Sequence, residues 1–81
     1  MNYIIICAEG ENSLNNTLKV LNTLSINYGK VVNPLLGQFN TKEFYIKFSI
    51  NSEKELPTIQ QILKSQKLTQ TLTLSIKSGE D

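Results

Sequence analysis

A strand that is apolar on both of its faces has to be covered on both, and this chain opens with one. Tyr3, Ile5 and Cys7 alternate with Ile4, Ile6 and Ala8, and Glu9-Gly10-Glu11-Asn12 closes the run with a turn signal. A β-branched run of this kind belongs in the middle of a sheet rather than at its edge. The 81 residues suffice for one domain spanning 1–81 and not for two, and 40% apolar content allows a modest core.

The rest of the chain alternates helical and strand patterns. Asn12 or Ser13 can cap a helix in which Leu14, Leu18, Leu21 and Ser25 follow helical spacing, widened by Val20 and Leu24, with Gly29 as its stop. Lys30–Leu36 reads as a strand interrupted by Pro34, which places it at an edge. Residues 37–41 (Gly-Gln-Phe-Asn-Thr) read as a hairpin loop. Phe44, Ile46, Phe48 and Ile50 then alternate with Tyr45, Lys47 and Ser49, the clearest period of two in the chain. Ser52 and Glu55 match a capping box, although Pro57 pushes the expected helix start toward Leu56, and Ile59, Ile62 and Leu63 form its buried stripe. Thr69–Ile76 is an uncharged β-prone run containing a last strand, and residues 78–81 read as a polar tail.

Strand–helix–strand–strand–helix–strand is the order of a ferredoxin-like split βαβ sandwich, an α+β fold with an antiparallel four-stranded sheet and two helices on one face. In that arrangement the first and third strands are central. The helices cover one face only, yet the first strand is apolar on both and the third carries Tyr45 on the second face. A surplus apolar face implies something to cover it, most simply a second copy across a two-fold axis. Tyr3, Ile5, Tyr45, Lys47 and Thr73 are the candidate contact residues. Scattered apolar side chains on an ordinary surface are the competing reading.

Composition narrows the chemistry. All eight basic residues are Lys; there is no Arg, His or Trp, and the net charge is +1. Bidentate phosphate or guanine recognition thus lacks its preferred side chain, and general base catalysis its commonest one. Cys7 has no partner for an internal disulfide and no visible leader precedes the strand, which suits a cytoplasmic setting; the apolar run at residues 3–8 is too short to cross a membrane. Cys7 reads as a small core residue or a reactive thiol. Glu9 and Glu11 are the weak catalytic candidates, able in principle to hold a divalent cation or act as a base; the simpler reading is a solvated acidic loop before a helix N-terminus. No metal or cofactor site is expected. The dispersed lysines, Lys47 and Lys77 included, could contact phosphate or merely protect strand edges. Thr69–Ile76 could add to a partner's sheet or be an ordinary edge strand.

The opening Tyr3-Ile4-Ile5-Ile6, the helix after an acidic loop, the Phe44-Tyr45-Ile46-Lys47 strand and the late Leu-rich strand together resemble, in element order, the small ferredoxin-like proteins of the CRISPR-associated integration subunit and virulence-associated protein D type. That resemblance implies a homodimer built on stacked or edge-joined sheets. It implies metal-dependent nuclease activity only where an aspartate closes the first strand; here Ala8 stands in that place and Glu9 one residue later. The leading expectation is therefore a non-enzymatic, homodimeric protein-interaction module that binds another protein, of a size and composition compatible with a phage or other mobile element. A metal-dependent nuclease or nucleic-acid binder is the second expectation, and a small-ligand regulatory domain the third.

Overall fold

A computed structural model describes residues 2–80, without the side chain of Thr71. Its elements are β1 (Asn2–Glu9), α1 (Ser13–Asn27), β2 (Val32–Asn40), β3 (Glu43–Ile50), α2 (Glu55–Ser65), the single turn α3 (Leu68–Thr71) and β4 (Thr73–Glu80). The strands form one sheet in the order β2-β3-β1-β4, every neighbouring pair antiparallel. This is the ferredoxin-like α+β arrangement: β1 and β3 are central, and the proline-bearing β2 is an edge.

The core lies between one sheet face and the helices. Ile4, Ile6 and Ala8 of β1 face the helices together with Ile46, Phe48 and Ile50 of β3. They meet Val20 and Leu24 of α1, Ile59 and Leu63 of α2, and Leu68. Burying such side chains stabilises by about 1.5–3 kcal/mol each. Two ties close the helix-side end of the structure. The Tyr28 hydroxyl donates to the Glu55 carboxylate, joining the end of α1 to the start of α2. Glu55 Oε2 also accepts the Asn51 and Ser52 backbone N–H groups at 2.6 and 3.3 Å, the reaching-back half of a capping box.

Several local expectations need correction. Gly37–Asn40 belong to β2, and the β2–β3 turn is confined to Thr41 and Lys42. Gly37 is required within the strand because a Cβ there would overlap the Tyr45 ring. The buried stripe of α1 is Ser13, Thr17, Val20 and Leu24, rotated from the leucine stripe, so Leu14 and Leu18 stay about two-fifths exposed. Thr17 can sit against the sheet because its Oγ1 donates to the Phe44 carbonyl at 3.2 Å. Asn12 is the N-cap of α1 but makes no side-chain cap hydrogen bond, and Ser13 is already the first helical residue. The helix α2 starts at Glu55, with Pro57 inside its first turn where no N–H is needed. Residues 68–71 form a helical turn after left-handed Lys67 (φ 63°), so the β-prone run is strand only from Thr73. The expected tail pairs as strand through Glu80, opposite Asn2, while Asp81 lies outside the described residues.

Candidate functional site: the open sheet face

Side chains of partnered residues in an antiparallel sheet share a face. The face away from the helices therefore reads as rows across β2, β3, β1 and β4. The first row is Val32, Ser49, Tyr3 and Gly79. The next is Leu35, Lys47, Ile5 and Lys77, then Gly37, Tyr45, Cys7 and Ser75. Glu43, Glu9 and Thr73 form the last. All five contact candidates from the sequence, Tyr3, Ile5, Tyr45, Lys47 and Thr73, fall on this one face.

Its centre differs from the expected bare apolar strip. Tyr45 of β3 lies over Gly37 of β2, and Tyr3 of β1 lies over Gly79 of β4; at either glycine a Cβ would overlap the ring. Each glycine leaves a gap that a neighbouring strand's tyrosine fills. Phe39 stacks on Tyr45 with ring centroids 4.5 Å apart, and Lys47 Nζ stands 4.2 Å from the Tyr3 ring centroid. Tyr3, Ile5, Tyr45 and Lys47 are consequently half-buried, and Cys7 is 6% exposed.

The exposed apolar surface sits to one side, on β2. Leu35 and Phe39 are 58% and 59% exposed, and Val32 about half exposed. Sequence reasoning did not name Leu35 as a contact residue and assigned Phe39 to a loop. The edge strand from Val32 to Asn40 carries no charged residue. Asn33 (φ 48°) and two register shifts, between Val32 and Leu35 and between Gln38 and Asn40, break its regularity.

Charge on the face is sorted by row. Lys47 and Lys77 flank Ile5, whereas Glu43 and Glu9 are direct cross-strand partners two rows away. Like charges so placed destabilise a sheet. Glu43 Oε1 takes a hydrogen bond from Asn40 Nδ2 at 2.6 Å. Glu11 lies beyond the strand and pairs with Lys42 at 2.9 Å, both well exposed. Gly10 N–H donates to the Lys42 carbonyl, joining the β1–α1 loop to the β2–β3 turn. The two weak catalytic candidates are thus separated: Glu9 ends a strand and Glu11 belongs to a surface ion pair. Among the described residues no three His, Cys, Asp or Glu side chains converge as metal ligands. Burial pushes the Cys7 thiol above its ordinary value, Glu43 and Glu9 push the same way, and Lys77 pulls against them. That environment disfavours a thiolate nucleophile. No helix among the described residues is long and apolar enough to cross a membrane.

No family model matches the chain, and no curated protein matches it. Solved structures do share its fold. Protein Atu4242 from Agrobacterium tumefaciens is 12% identical over 99% of this chain and 92% of that one, with a TM-score of 0.57. The de novo designed protein Foldit4 is 10% identical over 100% and 99%, with a TM-score of 0.57. A structure of aspartokinase alpha and beta subunits is 12% identical over 95% of this chain and 48% of that chain, also with a TM-score of 0.57. At such identities the likeness is one of fold alone.

Proposed function

We propose that this chain is a protein-interaction module whose working surface is the open sheet face, and that the partner seated there is a second copy. The observation that carries this reading is the stack of exposed Phe39 on the Tyr45 ring, with exposed Leu35 four residues away on the same edge strand and beside Lys47. Two large apolar side chains, each more than half exposed, extend an aromatic surface at the centre of a face that no helix covers. Contiguous apolar surface of this kind marks interaction sites, whereas isolated apolar residues do not. The surface offers tyrosine and phenylalanine, the residue types enriched in interface cores. A reducing, cytoplasmic setting suits the buried free thiol of Cys7.

Sedimentation equilibrium from one to one hundred micromolar tests the reading. A reversible monomer–dimer equilibrium is expected, weakened by Leu35→Asp. A strict monomer throughout that range overturns it.

A further inference from the structure

The rows of the open face determine how a second copy would sit on it, an inference that rests on the reading just given. We propose that two copies stack face to face about a two-fold axis running across the strands along the Gly37–Tyr45–Cys7–Ser75 row. Such an axis reverses position along each strand while laying every strand over its own counterpart. Residues equally far from the central row then face one another.

On β2, β3 and β4 the pattern on the face is complementary about that row and about no neighbouring one, and on β1 each Ile5 receives the partner's Glu9 between Lys47 and Lys77. On β3, Lys47 and Glu43 lie two residues to either side of Tyr45, so Lys47 of each copy faces Glu43 of the other. On β2, Leu35 and Phe39 lie two residues to either side of Gly37, so the two most exposed large apolar side chains of the face are brought opposite each other. On β4, Lys77 faces the partner's Thr73, beside its Glu9. The row on the axis carries no charged side chain. In a single copy Glu9 and Glu43 are like-charged cross-strand neighbours; the stacked pair brings lysine to them at both ends of the interface. An axis moved by one row in either direction loses the Lys47–Glu43 and Leu35–Phe39 pairings together. Stacked sheets lie about 10 Å apart, a gap that a lysine and a glutamate side chain span jointly.

Charge exchange tests the arrangement. Lys47→Glu and Glu43→Lys are each expected to raise the dimer dissociation constant at least tenfold. An equimolar mixture of the two should form a heterodimer within about threefold of the original affinity, because one of its two cross-axis sites regains opposite charges and the other exchanges them. Circular dichroism confirms folding of each variant. A wild-type dimer that both reversals leave unchanged, or that mixing does not restore, overturns the axis while leaving self-association intact; a monomeric wild type overturns both. Should either charge variant fail to fold, exposed positions supply the same test. In a Cys7→Ser background, Leu35→Cys mixed with Phe39→Cys should crosslink through a short bis-maleimide at least fivefold faster than either alone, and equal rates overturn the axis.

Discussion

Replacing Gly37 by alanine tests how the open face is built. The new methyl group would occupy the space of the Tyr45 ring, so the ring has to move. Moving it forfeits the stack with Phe39, worth about 0.5–1.5 kcal/mol. Re-exposing roughly 40 Å² of ring costs about 1 kcal/mol more at ~25 cal/mol per Å². Alanine recovers about 0.5–1 kcal/mol of glycine's entropic disadvantage in a strand. Gly37→Ala should therefore destabilise by about 1 kcal/mol. In a Tyr45→Ala background only the entropic gain remains, and the same substitution should stabilise by about 0.5–1 kcal/mol. Urea denaturation of all four proteins, at concentrations low enough that association does not contribute, reads the coupling directly. Equal effects of Gly37→Ala in the two backgrounds would refute the reasoning.

Three further outcomes follow from the structure. The Tyr28 hydroxyl bond holds the Glu55 carboxyl below its ordinary value, opposed by partial burial and helped by the Asn51 and Ser52 amides and by Lys30. The stability this brings is present above the usual carboxylate range and is lost as pH falls through the depressed value. Burial, with the Glu55 hydrogen bond and charge, pushes Tyr28 up to about 12, so its contribution is lost as pH rises from 10 through about 12. Tyr28→Phe should flatten the alkaline limb and shrink the acid limb, as read from stability measured across pH. Thr17→Val keeps the shape of a 1%-exposed residue but removes the donor to the Phe44 carbonyl, and should cost about 1 kcal/mol in denaturant unfolding. Asn33→Ala places a poorer left-handed residue at φ 48° and should cost about 1 kcal/mol, whereas Asn33→Gly should not.

The strongest periodic signals were legible in the sequence because they express the sheet's two faces directly. Phe44 to Ile50 alternates as read, and the two-sided apolar run of β1 is central. The same logic placed Tyr3, Ile5, Tyr45, Lys47 and Thr73 on one face. What it missed depends on tertiary contacts. Gly37 and Asn40 are turn-forming residues by propensity, but Gly37 is set in a strand by a tyrosine on the strand beside it. Leu14 and Leu18 outscore Thr17 as core residues until a carbonyl on β3 satisfies the Thr17 hydroxyl. Leu68, 6% exposed, anchors a helical turn in a stretch whose threonines favour strand. The apolar patch on β2 was hidden by Pro34, which signals an edge correctly but says nothing of how far the strand runs beyond it.

The central claim is that the open sheet face receives a second copy. Backbone amide NMR spectra recorded on dilution from about 500 to 5 micromolar test it residue by residue. Shifts confined to Leu35, Gly37, Phe39, Tyr45, Lys47, Cys7 and their open-face neighbours are the predicted result. Spectra that do not change with concentration, or changes centred on exposed helix residues such as Lys19 of α1 and Gln61 and Lys64 of α2, would contradict it.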